Sequence, residues 1–490
     1  MVVLVGCSED FLNVPPKGAF LTGNYYSNRD QAYSALVGVY DAIRKNTGGF
    51  ENMVAMMNAG SDDNVAGGGS PTDGLQIHRF DDFILTPDNM PGSFWNDHYQ
   101  GIFRANTLLL KLEGVDMNDN EKARFRAEAK ALRALYYFNL VRMFKNIPLL
   151  LEPLTANGMY DVLQADPNDV YAQIEQDLNE AAPDLPMPYD LDIAESGRLT
   201  RGAAKALLGK VYLYEGKNAQ AAAEFADING TPGTTSSYGY RLVDDFADLW
   251  DFNNKFNSES IIECTHSNQS KNDWGFWGSG ADEGNSLNVM CGIRSYKRLL
   301  GTSAPESMPG GWSFSTFTQG FYDFIKADPR FAATVFDVAA YEVSGEVSYV
   351  HGDEDIGYYM NKFMPRPENV STEGGAVDLN YQQDSYIIRL ADTYLMEAEA
   401  LGASGTRAQA LLDAVRDRVG LASVPVSMDA IKKERRAELA GEGHRFFDLV
   451  RWGDAATVLA DDGFEAGKNE IFPIPIQELR GTKLVQNPNY

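Results

Sequence analysis

Thr200-Arg-Gly-Ala-Ala-Lys-Ala-Leu-Leu-Gly209-Lys-Val-Tyr212-Leu-Tyr-Glu-Gly216-Lys-Asn-Ala-Gln-Ala221-Ala-Ala-Glu-Phe225 is the stretch that decides the fold. Leu208, Gly209, Tyr212, Gly216, Ala221 and Phe225 fall at the offsets of a tetratricopeptide unit, two helices joined by a short turn. The glycine lets the helices approach closely and the aromatics fill the groove between them. Thr200 is placed to cap the first helix, which is expected to run to about Gly216. A hairpin of this kind cannot bury its faces alone, so several must stack. A weaker helical pair occupies 384–418, with Tyr394, Ala398, Gly402, Ala408 and Leu411 in related places.

Toward the N-terminus, helical patterning runs from about Asn28 to Lys45. Residues 46–92 read as one irregular loop, with glycines at 67–69 and prolines at 71, 87 and 91; a loop that long is usually functional or disordered. Trp95, Tyr99, Ile102, Asn106 and Leu109 then share one face of a helix. A second helix spans about Asn120 to Lys145. Its half from Ala131 to Leu140 is apolar almost all round, as in a helix buried on several sides, and Pro148 stops it. Residues 168–182 form another amphipathic helix.

Toward the C-terminus, a helix is expected over 428–450. Glu434, Glu438 and Glu442 repeat every four residues, and stacked like charges cost a few tenths of a kcal/mol per pair on an isolated helix, roughly. Arg435, Arg436, Arg445 and Arg451 are near enough in sequence to offset them, which reads as a structural charge network rather than an active site. The tail at 472–475 and 487–490 reads as extended. The insert at 228–383 differs from the rest: it is rich in Gly, Ser, Asn and aromatics. Ser260–Cys264 and Tyr358–Met360 read as strands, and a short helix covers Phe317 to Ala327.

The chain has 490 residues, 44% hydrophobic and 11% aromatic, enough for a large core. With 42 basic against 69 acidic residues its formal charge is −27, which argues against nucleic acid as a partner. No apolar run approaches the roughly 18 residues of a spanning helix. Leu4-Val-Gly-Cys7, followed by Ser8-Glu9-Asp10, looks like a bacterial lipobox. Residues 1–6 then read as a truncated signal remnant, Cys7 as the lipidated residue and 7–28 as an extended arm. The two other cysteines, Cys264 and Cys291, are free to pair or not as far as spacing tells. No nucleophile elbow, phosphate-binding loop, zincin motif or Cys-x-x-Cys is present. The histidines at 78, 98, 266, 351 and 444 lack ligand spacing. No catalytic residue, metal or cofactor is therefore expected, although a carboxylate pair of a glycosidase stays open in one dimension.

The chain resembles the SusD/RagB family of Bacteroidetes surface lipoproteins over most of its length. Trp95-Asn-Asp-His-Tyr99 through Arg104-Ala-Asn106 is similar to the family's first core helix. Arg126-Ala-Glu128 through Leu140-Val-Arg142, with Ile147-Pro148, is similar to its second. Gly197-Arg-Leu-Thr200 with Ala203-Ala-Lys-Ala-Leu207 and Tyr212-Leu-Tyr214 resembles the repeat motif, and Asn257 to Ile262 and Asp328-Pro-Arg330 resemble further landmarks. Arg389-Leu-Ala-Asp392, Tyr394-Leu-Met-Glu-Ala398, Glu434-Arg435, Glu438-Leu439, Glu442-Gly443, Arg445-Phe-Phe-Asp-Leu449, Pro473-Ile-Pro475 and Gln486-Asn-Pro-Asn-Tyr490 complete the likeness. Gly481-Thr482 departs from it, where many members carry Asn-Pro; only a changed turn is expected.

The resemblance implies a mainly α fold: a tetratricopeptide-like α-α superhelix carrying an irregular, loop-rich ligand-binding part with a few short strands. Residues 29–490 would form one domain, with the scaffold at about 29–227 and 384–460 and the insert at about 228–383. It implies a lipid anchor at Cys7 on the outer membrane, exposed at the cell surface, and a SusC-like TonB-dependent transporter as partner. It implies a non-catalytic function, the capture and delivery of oligosaccharides. Family ligand residues lie in variable loops, so none carries over by position. Sugars present apolar faces rimmed by hydroxyls, which flat aromatics and polar side chains complement. In the insert those are Trp274, Trp277, Tyr296 and Trp312 with Asn272, Asp273 and Arg294; in the other long loop they are Asp62, Asp63 and Asn64. The plain alternative is that each tryptophan plugs an irregular core; Trp95 and Trp452, in family helix motifs, are read that way. A peptide-binding member of the family, a helical-repeat glycoside hydrolase and a purely structural lid are the competing readings.

Overall fold

A computed structural model describes residues 26–154, 158–269, 274, 284–299 and 303–490. Helix α1 (Arg29–Tyr40) begins where the Asn28 side chain accepts the Gln31 N–H, and a 3-10 turn continues it to Asn46. Two short helices follow, α2 (Met53–Ala59) and α3 (Leu75–Asp81), and then the long pair α4 (Ser93–Leu112) and α5 (Asp119–Phe144). Residues 46–92 are thus not one irregular loop. Every residue of α2 is buried, so the segment has no polar face and no amphipathic period.

The apolar half of α5 lies in the core, and Arg133 within it pairs with Asp177 of α6 (Pro167–Ala181) through hydrogen bonds of 2.8 and 2.7 Å. Thr200 caps α7 (Arg201–Tyr214) by accepting the Ala203 N–H at 3.2 Å. Gly209 faces α8 (Asn218–Asn229) so closely that a Cβ there would stand 2.7 Å from the Phe225 ring. The close approach that the repeat demands is therefore present.

Beyond the insert, 384–418 does not begin as helix. Its first residues form a strand that precedes α13 (Leu390–Ala400) and α14 (Gly405–Arg418). The expected helix over 428–450 is two, α15 (Met428–Glu438) and α16 (Arg445–Trp452). Between them Gly441 and Gly443 both take φ +77°, a left-handed backbone that favours glycine and ends a helix. Among the described residues of the insert lie four short α-helices: α9 (Ser286–Cys291), α10 (Gln319–Ile325), α11 (Phe331–Thr334) and α12 (Val338–Val343). The strands pair antiparallel in twos: β1 (Ser260–Cys264) with β6 (Ser385–Arg389), β2 (Lys297–Arg298) with β4 (Val347–Ser348), and β3 (Val335–Asp337) with β5 (Tyr358–Met360). The fold is mainly α and tetratricopeptide-like. A continuous apolar core runs through α1–α8 and α13–α16, and a small second one, around Ile293, Phe336, Val347 and Tyr359, supports the insert. No helix among the described residues is long and apolar enough to cross a membrane.

The C-terminal acids do sit in a charge network, with partners other than the neighbouring arginines. Glu438 meets Arg330 at 2.9 Å, Arg389 at 2.6 Å and also Arg418. Glu434 meets Arg330 and Arg416, each at 2.7 Å, and Glu442 meets Arg389 and Lys362, each at 2.8 Å. Arg435 instead binds Asp392 and Asp448, at 2.7 and 2.8 Å. Burial opposes these charges, yet their mutual attraction prevails: Arg389 is held well above, and Glu438 well below, the usual range. Cys264 and Cys291 are both buried as free thiols and form no disulfide.

Candidate functional site

The irregular backbone at 311–318 is clamped between two neighbours. On one side the Val65 N–H donates to the Thr316 carbonyl at 2.9 Å, Gly68 to Ser313 at 2.8 Å, and Ser315 back to Ala66 at 3.0 Å. On the other, the Trp312 N–H donates to Val289 at 2.9 Å and Phe314 to Met290 at 2.7 Å. The approach is so tight that a Cβ on Gly67 would stand 2.3 Å from the Ser313 carbonyl oxygen, and one on Gly311 only 1.9 Å from Gly292. Ser313 and Ser315, fully buried, hold φ of +59° and +54°. Strain of this kind persists only where the surroundings over-determine it. Here it fixes Trp312.

The Trp312 ring leans on Phe50, with centroids 6.3 Å apart, and carries Trp274 on another side at 5.8 Å and an interplanar angle of 32°. Trp274 is 49% exposed. Phe50 is in turn braced edge-on by Phe314 at 5.4 Å. Beside the pair, Arg294 donates Nε–H to the Trp312 carbonyl at 3.0 Å and Nη2–H to Asp73 at 2.7 Å. Asp73 also accepts the Gly69 N–H at 2.8 Å, and Gly69 lies under the guanidinium, where a Cβ would stand 2.9 Å from Cζ. The result is a rigid, partly exposed aromatic step with an oriented guanidinium at its edge.

The structure brings Trp274, Trp312 and Arg294 together and sends the other described candidates elsewhere. Tyr296 packs against the small core and donates its hydroxyl to the Pro305 carbonyl at 2.7 Å. Asp62 faces Arg445 at 2.7 Å and Arg436 at 2.9 Å. Asp63, 1% exposed, meets Arg436 at 2.7 Å, and its carbonyl accepts the Thr318 N–H at 2.9 Å. Asn64, 2% exposed, donates to the Ser315 carbonyl at 2.8 Å. The side chains of Asp62, Asp63 and Asn64 are thus engaged within the protein, away from the tryptophan pair. Burial lifts the Asp63 carboxyl to about 6 despite Arg436, whereas burial of Asp62 is outweighed by Arg445 and Arg436 together, which hold it below its ordinary value. Trp277, Asn272, Asp273 and Cys7 lie outside the described residues. Trp95 is buried, and Trp452 is half-buried with its indole N–H on Glu399 at 3.1 Å. Phe50 and Asp73 are members of the site that sequence reasoning missed. Among the described residues no group of three or more His, Cys, Asp or Glu is placed to hold a metal ion.

Two family models match the chain: one described as SusD family over residues 311–490, the other as starch-binding associating with outer membrane over residues 36–213. The chain is 24% identical to SusD-like protein P25 of Formosa agariphila, across 96% of this chain and 93% of that one. Its structure is similar to that of surface glycan-binding protein A from Bacteroides thetaiotaomicron in complex with laminarihexaose, with TM-score 0.81, 26% identity and coverage of 95% and 100%. It is similar also to a laminarin binding SusD-like protein, with TM-score 0.93, 60% identity and coverage of 95% of this chain and 100% of that one. That last match spans nearly the whole chain, and the chain belongs to the SusD family, a family of outer-membrane-associated proteins.

Proposed function

We propose that the protein is a non-catalytic glycan receptor at the cell surface, binding laminarin-type β-1,3-glucan on the Trp274–Trp312 step. The observation that carries this reading is the tilted tryptophan pair, half open to solvent beside a fixed guanidinium. A β-1,3 linkage turns successive pyranose rings out of one plane, which suits two indoles inclined at 32° better than the flat ribbon of a β-1,4 chain. Arg294 presents remaining N–H donors to sugar hydroxyls. The 60% identity to a laminarin binding protein supports the same ligand class. The nearby carboxylate of Asp73 is engaged by Arg294 and Gly69, so it is poorly placed as a general acid. In this reading a lipid on Cys7 anchors the chain, and bound oligosaccharide passes to a TonB-dependent transporter.

Calorimetric titration with laminarihexaose, cellohexaose and maltohexaose tests the ligand, and chromatography of the incubated sugars tests for cleavage. Binding of laminarihexaose above the other two, with no shortened product, is expected. Preference for another hexaose, or hydrolysis, overturns the reading. Replacing Cys7 by alanine in the native precursor should release the protein from the membrane fraction.

A further inference from the structure

A second cleft, of about 410 Å³, lies between the 3-10 turn Pro188–Asp190, the start of α7 and β1. Its volume is within the range of small-molecule sites. It shares no lining residue with the tryptophan step. Two large rings in its wall are left open to water: Tyr189 is 64% exposed and Phe256 38%.

Both rings are built against backbone. A Cβ on Gly239, at φ +84°, would stand 3.9 Å from the Tyr189 ring, and one on Gly197, at φ +89°, would stand 3.3 Å from the Phe256 ring. Phe256 itself holds φ +51°, a conformation that is an outlier for a bulky residue. Its N–H donates to Glu263 Oε2 at 3.1 Å, and the same oxygen accepts the Ser260 hydroxyl at 2.5 Å. A strained backbone that keeps an aromatic ring in water, and is pinned there by a buried carboxyl, points to a function for the ring.

The polar groups of the wall fit an uncharged ligand. Arg198 is neutralised by Glu128 at 3.1 Å and Glu195 at 2.6 Å. Burial, with Asp384 alongside, pushes the Glu263 carboxyl up to about 8, so at neutral pH it is largely protonated. Arg198 and Glu263 are the lining residues of the Asp, Glu, Lys, Arg and His types, in a chain of net charge −27. The Ser258 hydroxyl donates to the Arg241 carbonyl at 2.9 Å and keeps its lone pairs for a sugar hydroxyl. Open rings with neutral hydrogen-bonding groups are what a pyranose face and its hydroxyl rim require.

We propose that this cleft is a second saccharide subsite, which takes a neutral oligosaccharide on Tyr189 and Phe256. The inference rests on the reading that the protein binds glycan, and adds a second, weaker contact on the same polymer. A long glucan spanning both sites gains avidity that a hexaose does not.

Saturation-transfer NMR with laminarihexaose, and retardation in laminarin-containing native gels, test it on four forms: wild type, W274A/W312A, Y189A/F256A and the quadruple variant. Circular dichroism and melting temperature establish that each is folded; Tyr189→Ala alone serves where Phe256→Ala is not. The W274A/W312A form is expected to keep a transfer signal that the quadruple variant loses. Y189A/F256A should reduce gel retardation about tenfold or more while leaving hexaose affinity within twofold. Loss of all signal in W274A/W312A, or unchanged retardation in Y189A/F256A, overturns the second site and leaves the receptor reading intact. Absence of any laminarihexaose or laminarin binding by the wild type overturns both.

Discussion

Replacing Trp274 by alanine should separate affinity from stability. The ring is 49% exposed and rests against Trp312, so the change is the truncation of a surface side chain. A surface truncation of this kind changes stability by about 0.5 kcal/mol or less. For a chain of 490 residues, an unfolding entropy of about 2.1 cal/mol/K per residue gives about one degree of melting temperature per kcal/mol. The melting curve should thus move by less than about a degree. Affinity should fall further. A pyranose face covering about 50 Å² of indole is worth about 1.3 kcal/mol at 25 cal/mol/Å², roughly a tenfold change in Kd. Trp312→Ala should cost more, because it removes the ring that leans on Phe50 and the support that orients Trp274. In a double-mutant cycle the two losses should therefore fall short of additivity by at least about 0.5 kcal/mol. Titration calorimetry with laminarihexaose, on all four forms of the cycle, reads these quantities. An unchanged Kd for Trp274→Ala, or strict additivity, would refute the idea that the two indoles act as one platform.

Gly311→Ala places a methyl group 1.9 Å from Gly292, where the three nearest atoms are all Gly292 backbone rather than a side chain that could yield. It should lower the melting temperature by about 3 °C and weaken glycan binding through Trp312, where overpacking typically costs about 1–3 kcal/mol or more. Arg389→Met takes one buried cationic partner from each of Glu259, Glu438 and Glu442, leaving Arg330, Arg418 and Lys362 to face three acids. The expected loss is about 3–5 kcal/mol, seen as about 3–5 °C, and an unaltered melting curve would show that the network contributes no net stability. Asp81 accepts the Ala66 N–H at 2.6 Å, and burial, aided by Glu354, Asp82 and Asp462, raises its carboxyl to about 8. The unfolded chain loses this proton near pH 4 and the folded one keeps it to about pH 8. Its stabilising contribution is thus full below pH 4 and declines as pH rises through that window, by at most about 1.4 kcal/mol per pH unit. Asp81→Asn should flatten the melting temperature between pH 5 and 8; a slope equal to that of the wild type would remove Asp81 as its source.

The helices were readable where a period and a cap coincide. Thr200, Gly209 and Phe225 are such a case, since the cap, the close approach and the ring that fills the groove all come from adjacent turns. Helix α2 escaped because all seven of its residues are buried, which erases the apolar–polar contrast that periodicity needs. Strand β6 escaped for a similar reason: four of its five residues are buried, so it does not alternate. Glu434, Glu438 and Glu442 were legible as a charge network, yet spacing on one segment says nothing about which distant segment comes to meet it. Their partners Arg330 and Arg389 lie 49 to 108 positions away. The site divides in the same way. Trp274 and Trp312 are visible as aromatics amid glycine and serine, whereas Asp73, 221 positions from Arg294, carries no sign of its task.

Asp62 and Asp63 join the C-terminal helices to the tryptophan loop. Helix α15 turns Glu434 and Glu438 inward to Arg330, Arg389 and Arg418, and on another face sends Arg436 to Asp62 and Asp63. Arg445 of α16 adds a second hold on Asp62. The Asp63 carbonyl then accepts from Thr318, and the ladder from Val65 to Gly68 runs on to Ser313, next to Trp312. The C-terminal scaffold and the tryptophan step are thus joined by a short chain of partly buried ion pairs and backbone hydrogen bonds. Stacking on a sugar yields little free energy per ring, so a loop that had to order itself on binding would lose most of it. A loop already locked by the scaffold avoids that loss, so under the proposed glycan reading Asp62 and Asp63 would serve recognition by fixing the Trp312 loop.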